Sequence, residues 1–171
     1  MKSRRRWLFT AACLLSAIAM SVAYVRYAHY RAAPVQSEDT VQAPAFITVN
    51  SQAALEAELA KAATNQQVAF VDYYADWCIP CKQFAQKTFT DPAVAKPLST
   101  MHRIKVNLSE NRPEDFALMR SQAVAGLPTL DFWLPTGERN QAARIIGFLP
   151  PEAFLAHLNE HVLMPSVKSK E

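Results

Sequence analysis

Glycine is scarce in this chain, with only Gly126, Gly137 and Gly147 among 171 residues. Cysteine is equally rare at three, and no internal repeat or low-complexity run is present. Collagen-like, low-complexity and disulfide-scaffold classes are therefore excluded. Acidic side chains are missing altogether from residues 1–31, which hold Lys2, Arg4, Arg5, Arg6, Arg26 and Arg31. The net charge of +3 hides this asymmetry: the leader carries +6, and the rest sets 12 basic against 15 acidic side chains. A mildly acidic body lacks the electrostatic footprint of a nucleic-acid binder. What the chain does have is apolar residues, at 50%, enough for the core of one domain plus appendages.

The basic cluster at residues 2–6 precedes Trp7–Val25, a stretch without charge. As a helix it would be roughly 28 Å long, close to the ~30 Å hydrocarbon core of a bilayer. Two readings stand: an uncleaved single-pass anchor, or a signal peptide cut after Ala23 at Ser21-Val22-Ala23. Under the anchor reading the Arg cluster stays cytoplasmic, and both readings deliver the body to an extracytoplasmic space, expected to be the bacterial periplasm. Cys13, inside the apolar stretch, reads as an inert small residue. Residues 32–45, with two prolines and no apolar period, read as a flexible tether. The domain is expected over 46–163, followed by a tail at 164–171.

Within that body, periodicity predicts β-α-β-α-β-α-β-β-α. Phe46–Val49 is a short strand. A helix follows with Leu55, Leu59 and Ala62 at helical spacing. Val68–Tyr74 is almost continuously apolar, as a strand covered on both faces is. Helical stretches are expected over 78–87, around Val94 and Leu98, and over 113–121, with strands at 102–108 and 129–134. Residues 143–146 are expected to close a hairpin, and Pro150-Pro151 to start a last helix. Alternation first and a hairpin last implies an α/β fold with a mixed sheet flanked by helices.

The chemistry concentrates at Trp77-Cys78-Ile79-Pro80-Cys81-Lys82. A Cys-x-x-Cys pair is half a zinc site, a structural disulfide or a redox pair. Zinc wants about four ligands, and 75 residues separate Cys81 from the nearest His pair, His157 and His161; that pair reads as an exposed helix face. A bridge closing so short a loop removes little unfolded-chain entropy. The redox reading gains from position, because the pair follows a buried strand where a helix should begin. Unpaired N–H groups at a helix start favour an ionised thiolate. Cys78, first and more accessible, is the expected nucleophile, and Cys81, one turn on, the resolving thiol.

Four further residues belong with it. Asp72 stands alone in an apolar strand, where desolvation raises a carboxyl and suits it to accept a proton from Cys81; the bland alternative is a residue facing solvent. Trp77 offers shielding and contact area to a partner, or else fills the core. Leu127 and Pro128 precede a strand, where an ordinary trans proline is the default and a cis one would turn Leu127 toward a partner.

Together Val71-Asp72-Tyr73-Tyr74-Ala75-Asp76-Trp77-Cys78-Ile79-Pro80-Cys81-Lys82, Gly126-Leu127-Pro128-Thr129 and Gly147 resemble the thioredoxin superfamily. That resemblance implies a thioredoxin fold with a central mixed sheet, a cis peptide before Pro128 and Asp72 as the buried acid beneath the cysteines. Within the superfamily, Tyr74–Cys78, Lys82, Phe84, Thr88-Phe89 and Asp91–Val94 are similar to the C-terminal periplasmic domain of the DsbD thiol:disulfide interchange proteins. Two departures are expected: a single hydrophobic stretch in place of a multi-helix electron-conducting segment, and Ala85 at a position where an acidic residue is common. The expected function is an extracytoplasmic thiol:disulfide oxidoreductase that reduces protein disulfides or relays electrons to them. Oxidative folding, isomerisation and cytochrome c maturation are alternatives on the same fold, and a membrane-tethered copper-binding module is an alternative of another class. No cofactor or metal is called for, the partners are protein thiols and disulfides, and a monomer is expected.

Overall fold

The computed structural model describes residues 45–164, together with Met20, Ser21, Tyr24 and Arg26, which are helical. The anchor-or-signal segment, the cleavage position, Cys13, nearly all of the tether and the 164–171 tail otherwise lie outside the described residues. Among those described, no helix is long and apolar enough to cross a membrane.

Five strands form one sheet: β1 (Ile47–Val49), β2 (Ala69–Tyr74), β3 (His102–Asn107), β4 (Thr129–Trp133) and β5 (Ile145–Ile146). Their order across the sheet is β1-β3-β2-β4-β5. β3 runs parallel to both β1 and β2, while β4 runs antiparallel to β2 and to β5. The mixed sheet expected from the element order is therefore present. β2 lies at its centre, and five of its six residues are buried.

The helices are α1 (Gln52–Thr64), α2 (Ile79–Gln83), α3 (Pro92–Leu98), α4 (Pro113–Ser121) and α5 (Pro151–Leu158). Their starts are written locally. Ser51 Oγ accepts the Ala54 N–H at 3.3 Å, and Asp91 Oδ1 accepts that of Ala93 at 2.9 Å. Asp115, in the first turn of α4, accepts the Arg112 N–H at 3.0 Å.

Alternation along β2 sends its side chains to two cores. Phe70 goes to one side, where the rings of Phe89, Phe132 and Phe154 lie with centroids 5.1–6.2 Å from its own, and Phe84 joins the cluster against Phe89 at 5.3 Å. Val71 and Tyr73 go to the other, packing with Leu55, Ala62, Ile104, Val106 and Leu118 beneath α1 and α4.

One expected helix gains detail and two expectations need correction. The helix expected over 78–87 is α-helical only to Gln83 and continues as a π-helical turn, Phe84–Thr88. That turn keeps Phe84 and Thr88 buried, and Thr88 Oγ1 donates to the Leu149 carbonyl at 2.8 Å. The strand expected from residue 143 shrinks to Ile145–Ile146 after a 3-10 turn, Gln141–Ala143. The Ala143 carbonyl is taken instead by His157 Nε2 at 2.9 Å. His157 and His161 are accordingly half-buried rather than exposed, with ring centroids 4.5 Å apart.

Candidate active site

β2 ends at Tyr74, and four residues later Cys78 caps the start of α2. Its extended backbone (φ −80°, ψ 100°) turns the sulfur toward the helix, where Sγ accepts the Cys81 N–H at 3.2 Å. Pro80 sits in the first turn, where a missing N–H costs nothing. The two cysteines, with Cα atoms 5.3 Å apart, are joined as a disulfide. Both are buried, yet the flanking Trp77 and Ile79 are 56% and 71% exposed. Trp77 is thus a surface residue beside the sulfurs, and the core alternative for it falls.

The segment carrying these residues is fixed from behind. The Cys78 N–H donates to the Ala75 carbonyl at 3.0 Å, and Leu108 N–H to that of Tyr74 at 2.8 Å. The Asp76 N–H donates to Ser109 Oγ at 2.8 Å, and Tyr74 Oη donates to Asp76 Oδ1 at 2.9 Å. Ala75, Cys78 and Cys81 form a small cluster against which Tyr74 and Leu127 pack. The Leu127–Pro128 peptide is cis, as the resemblance implies. The Pro128 carbonyl accepts the Gly147 N–H at 3.0 Å, and Thr129 Oγ1 donates to the Gly126 carbonyl at 2.7 Å.

Asp72 is 1% exposed, so it does not face solvent. It shares its face of β2 with Phe70 and Tyr74, the face that Phe84 of the cysteine-bearing helical segment covers. Its Oδ1 has no hydrogen-bonding partner among the described residues. Burial pushes the carboxyl up to about 7, against the pull of the Lys105 ammonium. Lys105 stands opposite Asp72 in the β2–β3 register. Its Nζ lies 4.6 Å from the centre of the Tyr74 ring and 5.2 Å from that of Phe46.

Lys105 was not singled out from sequence, although its place in the alternating strand His102–Leu108 offered a signal. Nor was Ile146, 70% exposed beside Gly147 and opposite Thr129. Trp77, Cys78, Cys81, Leu127 and Pro128 do come together at one end of the sheet, with Asp72 inside it. No group of three or more His, Cys, Asp and Glu side chains converges among the described residues.

Comparison with known proteins points the same way. The chain is similar to the thiol:disulfide interchange protein DsbD of Vibrio vulnificus, 38% identical over 113 residues, or 66% of this chain and 19% of that one. It is 39% identical over 116 residues to DsbD of Klebsiella pneumoniae, again 19% of the relative's length. The chain thus spans about a fifth of the curated relatives it matches. The crystal structure of the Neisseria meningitidis DsbD C-terminal domain in the oxidised form superposes with a TM-score of 0.58 at 25% identity, covering 67% of this chain and 99% of that one. The reduced form of that domain gives 0.55 at 26% identity with the same coverage. A family model for the thioredoxin-like domain matches residues 55–161, and the chain belongs to the thioredoxin-like domain family.

Proposed function

We propose that this protein is an extracytoplasmic thiol:disulfide oxidoreductase that reduces disulfides of protein partners, or relays electrons to them, through Cys78 and Cys81. The observation that carries the reading is the Cys78–Cys81 pair at a helix start, its first sulfur held by a backbone N–H and a buried carboxyl on the strand behind. An N–H aimed at sulfur favours the thiolate over the thiol.

The reaction runs in two exchanges. In the reduced protein the Cys78 thiolate attacks a partner disulfide; a mixed disulfide forms and one partner sulfur leaves as a thiolate, which takes a proton from water. Cys81 then loses its proton to the Asp72 carboxylate and attacks the Cys78 sulfur. The second partner thiolate departs, receiving that proton, and the Cys78–Cys81 disulfide closes. Two electrons pass to the partner, and an upstream thiol donor restores the pair. A carboxyl near 7 is suited to this exchange at neutral pH. Trp77, Leu127 and Pro128 supply the partner-facing surface around the sulfurs.

The reducing direction rests on Ile79 and Pro80, which place no charged or hydrogen-bonding side chain between the cysteines to stabilise a reduced thiolate, as a strong oxidant requires. Residues 46–163 form the working domain. Residues 1–31 hold it at the periplasmic face of the inner membrane, or release it after cleavage at Ala23; 32–45 are the tether and 164–171 the tail. Insulin reduction by dithiothreitol is the direct assay. The protein accelerates it, and Cys78→Ser abolishes the acceleration; an undiminished rate in that variant defeats the assignment. Cys81→Ser, expressed in cells, accumulates mixed disulfides with the natural partners.

A further inference from the structure

β4 carries a second wholly buried carboxylate, Asp131, on the face of the sheet opposite Asp72. Both of its oxygens are held by one guanidinium: Arg144 Nε donates to Oδ1 and Nη2 to Oδ2, each at 2.7 Å. Arg139 Nη1 stands farther off, 3.5 Å from Oδ2. Two more donors of Arg144 go to backbone. Nη2 also reaches the Gln122 carbonyl and Nη1 that of Ala123, both at 2.8 Å, and Arg139 Nη1 donates to the Gln122 carbonyl at 2.8 Å as well.

Those two carbonyls open the 122–128 loop, which ends in Leu127 and Pro128. Ala123 has φ +52°, in the left-handed region that residues with a Cβ seldom occupy. The far end of the loop is gripped by Gly147, whose N–H donates to the Pro128 carbonyl at 3.0 Å. Residues 144–147 therefore hold both ends of the loop that packs Leu127 against the cysteines. A buried ion pair is by itself poor evidence for stability, since an apolar pair of similar volume often serves as well. A planar fork that binds a carboxylate and two carbonyls at once is harder to replace.

We propose that Arg144, oriented by Asp131, is a positioning residue for partner capture: it fixes the 122–128 loop so that Leu127 and Pro128 meet a protein disulfide at constant height above Cys78 and Cys81. The inference rests on the thiol-exchange reading above. Arg144 touches neither cysteine and acts only through the loop. Its loss weakens binding of a protein disulfide and leaves the sulfur chemistry intact.

The test compares the full-length wild type with Arg144→Met and Arg144→Lys, using two substrates: insulin, and the small aromatic disulfide known as Ellman's reagent. Folding is checked by circular dichroism, and rates are taken below each variant's melting transition. KM for insulin rises about tenfold in Arg144→Met and several-fold in Arg144→Lys, with kcat and the rate with Ellman's reagent changed by less than about twofold. Unchanged KM for insulin in the folded variants overturns the proposal, and so does a parallel fall with both substrates. Should Arg144→Met fail to fold, Arg144→Lys decides by the same criteria. A wild type that reduces neither substrate overturns the thiol-exchange reading, and this inference with it.

Discussion

Asp72 is a carboxyl 1% exposed inside an otherwise apolar strand. Buried among apolar side chains, it keeps its proton up to about pH 7, while the unfolded chain releases it near 4. Below pH 4 both states are protonated and ionisation adds no penalty. As pH rises from 4 to 7 the unfolded chain ionises first, so stability falls; above 7 the penalty is constant. Asp72→Asn removes that dependence. The variant is expected to exceed the wild type by roughly 2–4 kcal/mol in denaturant unfolding at pH 8 and to gain nothing near pH 3.5. In stopped-flow kinetics, resolution of a mixed disulfide by Cys81 is expected to rise through a limb near pH 7 in the wild type, and Asp72→Asn to flatten it. Both sulfurs and this carboxyl were legible in the sequence because each stands out against its immediate neighbours. Asp131 offered the same signal, a charge inside Thr129–Trp133, but its meaning depends on Arg144 and on carbonyls at 122 and 123, which only the fold brings near.

At the scale of the element, the helical segment after Cys78 matters most. Its α-helical turns give way to the π-helical turn Phe84–Thr88, and the Phe84 ring stacks on that of Phe89, with centroids 5.3 Å apart. This side chain ties the cysteine-bearing segment to the aromatic core. Phe84→Ala is expected to cost about 3–5 kcal/mol by chemical denaturation, with the disulfide chemistry of the folded fraction retained. Ser51→Ala, which removes only the cap of α1, should cost about 1 kcal/mol. Helix starts were legible because Ser, Asp and Pro announce them residue by residue. The switch to π geometry was not, since nothing in Phe-Ala-Gln-Lys-Thr distinguishes five-residue from four-residue hydrogen bonding. The shortened β5 was hidden for a similar reason: His157, fourteen residues away, takes the Ala143 carbonyl.

At the scale of the molecule, alternation of strands and helices followed by a hairpin specified a mixed sheet, and the observed order agrees. The interior position of β2 followed from its unbroken apolar run, whereas the register that sets Lys105 opposite Asp72 came only with the assembled sheet. The edges of the sheet have a consequence for aggregation. The outermost strands, β1 and β5, span three and two residues, too few to recruit a strand from a neighbouring molecule. Edges this short protect the domain from edge-to-edge aggregation.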